Sequence, residues 1–124
     1  MIVKETIREV LLRGMDSSYA VALYTGVFSG TVYTKEGEAV GTGYRAGGLT
    51  VGSPEVTCKS SATCVSFRGI VEWKNSTIKA RSAIIYGETS GEVLYIMNFG
   101  KVVSSTNDSF KLEMPDSPLI TWQT

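Results

Sequence analysis

Trp73-Lys74-Asn75-Ser76-Thr77-Ile78-Lys79-Ala80-Arg81-Ser82-Ala83-Ile84-Ile85-Tyr86, then Gly87-Glu88-Thr89-Ser90-Gly91, then Glu92-Val93-Leu94-Tyr95-Ile96-Met97-Asn98-Phe99-Gly100, is the passage that decides the fold. Ile78, Ala80, Ser82 and Ile84 alternate with Lys79 and Arg81, the period of a strand with one buried face. From Ala83 onward both faces become apolar, as does the return from Val93 to Phe99, so this hairpin runs from a half-exposed region into a doubly covered centre. The five residues Gly87 to Gly91 supply the turn.

The rest of the chain reads as strands and turns around this hairpin. Tyr19 to Thr25 is a short apolar strand, and Glu55 to Lys59 with Ala62 to Arg68 reads as a second hairpin across Ser60-Ser61. Gly69 to Lys74 reads as a further strand. Phe110, Leu112 and Met114 alternate with Lys111 and Glu113, and Pro115 and Pro118 bracket a turn before a last strand, Leu119 to Trp122. Between Gly26 and Gly52 glycine is frequent, which predicts a long loop region with short strands. Many short strands with closely spaced turn signals predict an all-β, antiparallel, sandwich or jelly-roll-like single domain over residues 1–124.

The one helix signal is N-terminal, over residues 2–14. Val3, Ile7, Val10 and Leu11 share a face, Glu9 and Arg13 stand at a supportive i, i+4 spacing, and Gly14 offers a left-handed cap. Such a segment either packs on the sheet edge or serves as a docking arm. It needs something to pack on, because a helix this short is marginal alone.

Composition limits the chemistry. The chain has 124 residues, 43% apolar and 19% charged, as expected of one globular domain with its own core. Twelve basic and twelve acidic side chains cancel, so no global charge draws the chain to nucleic acid or anionic membrane. No apolar run reaches the roughly 20 residues of a membrane span. Charged residues interrupt the N-terminal apolar run, unlike a signal peptide, so synthesis in a cytoplasm is expected.

There is no histidine, which excludes Ser-His-Asp and Cys-His catalytic arrangements. Cys58 and Cys64 read either as two reduced thiols near a hairpin or as a cross-hairpin disulfide. They cannot close a tetrahedral zinc site by themselves. The acidic residues are scattered, and nothing in their spacing selects a catalytic pair. Glu36 and Glu38 flank Gly37, where a turn-capping role is more economical than calcium binding. Gly41-Thr42-Gly43-Tyr44-Arg45-Ala46-Gly47-Gly48 lacks the Gly-Lys-Ser/Thr of a phosphate loop and no strong helix follows it; its glycines read as backbone conformation. No cofactor or metal is expected.

Most aromatics lie in apolar alternation and read as core, among them Trp73, Tyr86, Tyr95 and Phe99. Tyr24, Phe28, Tyr33 and Tyr44 lie in or near the long loop and are better placed for an exposed surface. Lys74, Lys79 and Arg81 could line one face, but three cations without basic neighbours do not make a nucleic-acid stripe.

Taken together, Tyr33-Thr34, Glu38, Gly41 through Leu49, Trp73 through Tyr86, Met97-Asn98-Phe99-Gly100-Lys101 and Ser104-Ser105 resemble a group of small accessory proteins encoded in the structural-gene regions of tailed bacteriophages. The likeness runs from about Tyr19 onward. It implies a virion component made in the bacterial host cytoplasm and carries no catalytic residues.

The expected function is therefore non-enzymatic. The chain would decorate or cement a capsid, or serve as a head–tail accessory, through symmetric contacts with major capsid, neck or tail proteins or with copies of itself. Nucleic acid and membrane are not among the expected partners. The expected contact residues are Val3, Ile7 and Leu11 on the helix and Tyr33, Tyr44 and Arg45 in the loop. Two other classes compete: a carbohydrate-binding module of a receptor-binding apparatus, which needs exposed coplanar aromatics, and a host-directed enzyme, which needs a close carboxylate pair in a cleft.

Overall fold

The structure, a computed structural model, describes residues 18–52, 55–59, 62–66, 70–113 and 120–123. Every regular element among them is a strand. These are β1 (Tyr19–Tyr24), β2 (Leu49–Gly52), β3 (Glu55–Lys59), β4 (Ala62–Ser66), β5 (Ile70–Gly87), β6 (Val93–Glu113) and β7 (Ile120–Gln123). The N-terminal helix predicted over residues 2–14 lies outside the described residues.

The strands form two antiparallel sheets, one of four strands ordered β2-β1-β5-β6 and one of three ordered β3-β4-β7. In the smaller sheet β3 and β4 form the hairpin expected across residues 60–61. Its register sets Cys58 opposite Thr63 and Cys64 opposite Thr57, so the two cysteines are not cross-strand partners.

The large sheet is dominated by the β5–β6 hairpin, and the sequence reading divides it into shorter pieces than the chain makes. The described parts of the pieces expected at 69–74 and 73–86 belong to one 18-residue strand, and those of the pieces expected at 93–99 and 110–114 belong to one of 21 residues. Four irregularities interrupt the ladder, the one nearest the hairpin turn leaving Leu94 between the pairs Ile85 with Tyr95 and Tyr86 with Val93. Lys74 and Asn75 together oppose Ser109, and Thr77 then opposes both Thr106 and Asn107, so the second bulge on β6 cancels the first on β5. Each bulge holds an asparagine in the left-handed region, Asn75 and Asn107, both at φ 49°. Further along, Arg81 alone opposes the four residues Phe99 to Val102, where Gly100 has φ 78°.

Alternation about these bulges produces two apolar layers on the large sheet. One contains Tyr19, Val21, Leu23, Trp73, Ile78, Ala80, Ile85, Leu94 and Phe110, with Tyr44, Met97 and Phe99 packed against it. The other is smaller: Ala20, Ala22, Tyr24, Phe28, Ile84, Tyr86, Val93 and Ile96, joined by Tyr33. All six residues of β1 are buried, as a central strand covered on both faces requires. Trp73 meets Phe110 edge-on at 5.9 Å and is buried; its indole N–H has no hydrogen-bond partner among the described residues.

Candidate functional site

The loop between β1 and β2 wraps both faces and one flank of the large sheet, and it is built around one carboxylate. Glu38 pairs with Tyr24 in an isolated antiparallel bridge, which fixes its backbone beside the end of β1. Its Oε1 accepts the Tyr33 hydroxyl at 2.6 Å. Its Oε2 accepts the Gly47 amide N–H at 2.7 Å and the hydroxyl of Tyr44.

The tyrosines carry the connection onward. Tyr44 Oη also accepts the N–H of Leu23 at 3.0 Å, tying the hub to β1. Tyr86 on β5 donates to the carbonyl of Gly47 at 2.6 Å and stacks on the Tyr33 ring at 4.5 Å. Tyr24 donates to the carbonyl of Thr34 at 2.6 Å. One charged group thus gathers residues from three stretches of the loop and anchors them to two strands.

Burial and the nearby charge set the chemistry of these phenols. Desolvation first, then the Glu38 carboxylate, pushes the Tyr86 hydroxyl up to about 12. Burial also raises Tyr24, Tyr33 and Tyr44 well above the ordinary phenol value; for Tyr33 and Tyr44 the donated hydrogen bond to Glu38 adds to the effect. They act as neutral donors, and none is poised to ionise as a base or nucleophile near neutrality.

The glycines let the loop lie against the strands. A Cβ at Gly48 would overlap the Val21 carbonyl and one at Gly41 the Thr77 carbonyl, and both residues have positive φ. This contact along β5 is completed by the Thr77 N–H, which donates to the Thr42 carbonyl at 2.9 Å. The stretch from Gly41 to Gly48 is therefore a close-packing device, as its lack of phosphate-loop features suggests.

Ser82, fully buried on β5, holds the first part of the loop. Its Oγ donates to the Gly26 carbonyl at 2.6 Å and accepts the Phe28 N–H at 3.0 Å. The Val27–Phe28 corner stands between two open grooves. One, of about 260 Å³, is bordered by Tyr24, Ser29, Thr34 and Glu36; the other, of about 530 Å³, by Tyr95, Ile96, Met97 and Asn98.

Of the contact residues expected from the sequence, Tyr33 and Tyr44 are half-buried with their hydroxyls committed to Glu38, while Arg45 is exposed. Val3, Ile7 and Leu11 lie outside the described residues. Tyr44 packs at 6.1 Å against Trp73 in a tilted arrangement, and Tyr24 and Phe28 are buried. These four loop aromatics do not form the exposed coplanar row that the carbohydrate reading needs. The large apolar side chains that the loop does expose are aliphatic: Val27 at 54%, Val32 at 56% and Val40 at 83%. Sequence reasoning missed these valines and the role of Glu38. An acid within six residues of two tyrosines in a glycine-rich loop was the available signal.

Among the described residues no group of three or more Cys, Asp or Glu is arranged to hold a metal ion. No protein-family model, curated protein or solved structure matches the chain.

Proposed function

We propose that this chain is a non-enzymatic structural component of a bacteriophage particle, acting through repeated protein–protein contacts as a capsid decoration or head–tail accessory protein. The observation that carries this reading is the loop surface. Val27, Val32 and Val40 project into solvent from a segment that Glu38 and Ser82 hold fixed. Exposed aliphatic side chains on a preorganised loop lose little conformational freedom on docking, which is what a contact repeated by symmetry needs. The phage assignment itself rests on the resemblance in sequence. On this reading the two antiparallel sheets are the layers of a β-sandwich, and exposed Arg45 supplies a further, polar contact.

The test is quantitative mass spectrometry of purified particles of the phage encoding the chain, beside particles assembled with a Val40→Asp chain. A stoichiometric copy number set by the shell or neck symmetry, lost with Val40→Asp, is the expected result. Absence of the wild-type chain from clean particles would refute the reading.

A further inference from the structure

The β5–β6 ribbon presents a second surface that the loop does not cover. Near the hairpin turn, the face carrying Ser82, Ile84 and Tyr86 is roofed by Phe28 and Tyr33. Beyond Arg81 the described side chains along that face are exposed. Ile78 and Ala80 pack in the layer of Ala83 and Ile85, so the irregularity at Arg81 reverses the alternation. With the bulge at Asn75 counted in, this sets Lys74, Thr77 and Lys79 on the side of Ser82 and Ile84. Arg81 stands at the reversal, and all four polar residues of this row are exposed.

The neighbouring strand supplies the cations whose absence from the local sequence argued against a basic stripe. Lys101 stands in the segment opposite Arg81, Ser104 opposite Lys79, and Lys111 opposite Glu72. Lys101, Ser104, Thr106 and Lys111 are all exposed. Glu72 is half-buried and offsets Lys111. Asp108 is exposed, but its Oδ1 accepts the Ser109 N–H at 2.8 Å.

We infer that this ribbon face, centred on Lys79, Arg81 and Lys101 with Lys74 at its end, binds the phosphate backbone of duplex nucleic acid without reading its sequence. Three observations support it. The chain has no net charge, yet the ribbon carries the exposed cations Lys74, Lys79, Arg81, Lys101 and Lys111 against half-buried Glu72 and exposed Asp108 among the residues whose exposure is described. The strip from Lys74 to Arg81 spans about 23 Å, long enough to follow several successive phosphates. Its exposed uncharged partners, Ser104 and Thr106, can donate to phosphate oxygens, whereas no exposed aromatic stands among these residues to stack an unpaired base. The inference stands independently of the virion reading.

Fluorescence anisotropy with a short mixed-sequence duplex, titrated against salt, tests it. The wild-type chain is expected to bind duplexes of unrelated sequence equally, with a log–log salt slope of about −3, as release of counterions from three to four phosphates requires. Lys79→Glu/Arg81→Glu should weaken binding at least about tenfold and flatten the slope by about two. Lys35→Glu, which changes an exposed cation in the loop, should leave both unchanged. Circular dichroism of each variant separates lost binding from lost fold. No binding by the wild type at about 50 mM salt would overturn the inference. So would equal binding by the double variant, or tighter binding of a polyglutamate peptide than of the duplex, which would make the strip a protein-docking face.

Discussion

Ser76 and Ser105 meet inside the β5–β6 ribbon with their hydroxyl oxygens 2.9 Å apart, each close to the other strand's backbone. Ser76 Oγ also lies 2.9 Å from the carbonyls of Trp73 and Asp108, and Ser105 Oγ lies 3.1 Å from the Ser76 carbonyl and accepts the Ile78 N–H at 3.3 Å. The two hydroxyls occupy the point where the opposed bulges cancel. They satisfy backbone groups that the interrupted ladder leaves unpaired.

Replacing Ser76 by alanine removes a buried group that serves two strands, and about 1–3 kcal/mol of stability should go with it. Ser76→Val should cost more, because the added methyls have no room beside the Ser105 hydroxyl and the carbonyls. Urea denaturation followed by tryptophan fluorescence measures both.

The asparagines that flank this pair make an opposite prediction. Asn75 and Asn107 hold left-handed backbone in exposed positions, where glycine carries no steric cost. Asn75→Gly should be neutral or slightly stabilising, while Asn75→Ala should lose about 1 kcal/mol. Thermal melts of the two variants decide between this and a role for the asparagine side chain, in which case both would lose stability alike.

Glu38 joins Tyr33, Tyr44 and the Gly47 amide, all three of which donate. Glutamine keeps the shape but offers one acceptor oxygen and brings two donors of its own. Glu38→Gln should therefore lose about 2–3 kcal/mol, a value set by charge-assisted hydrogen bonds. Faster hydrogen exchange at the Gly47 amide should accompany the loss, and unchanged protection there would show that the carboxylate does not anchor the loop.

The same cluster predicts weakness toward alkali. Tyr24, Tyr33, Tyr44 and Tyr86 hold their protons more tightly folded than unfolded, with Tyr86 pushed up to about 12. Between the unfolded phenol value of about 10 and that point, the unfolded chain has released protons that the native chain keeps. Stability contributed by these groups is full below pH 10 and declines as pH rises. Melting temperature should fall over this range, and absorbance at the tyrosinate band should show at least four of the six tyrosines ionising only as the protein unfolds.

Among the glycines, the cost of a methyl group should follow space rather than φ alone. Gly48→Ala and Gly100→Ala both place alanine at a φ near +79°, yet the first drives a Cβ into the Val21 carbonyl and the second meets nothing within 4 Å. Gly100→Ala should cost about 1–2 kcal/mol, the left-handed penalty alone. Gly48→Ala should displace the loop from β1 or prevent folding, which circular dichroism and soluble yield would report.

Much of this architecture is legible in the sequence wherever a periodic pattern runs unbroken. The turn at Gly87–Gly91, the doubly apolar stretches beside it and the β3–β4 hairpin all follow from local alternation and turn residues. The full length of β5 and β6 does not. Asn75, Gly100 and Asn107 have the character of strand terminators, and only the partner strand shows that each sits inside a bulge. Glu38 was equally hidden: its donors come from Tyr33, Tyr44 and Gly47, and the loop path that gathers them depends on strands distant in sequence. The cationic row was half visible as Lys74, Lys79 and Arg81. Lys101 joins it only through the register of the hairpin.

Those bulges bear on how the protein behaves when many copies are crowded together. Among the described strands β6 forms one edge of its sheet and β2 the other, and a straight 21-residue rim would invite another chain to add to it. Offsets at Leu94, at Phe99–Val102 and at Thr106–Asn107 divide its pairing into short lengths. For a chain of no net charge, which has little mutual repulsion, such interruptions disfavour edge-to-edge addition of further strands.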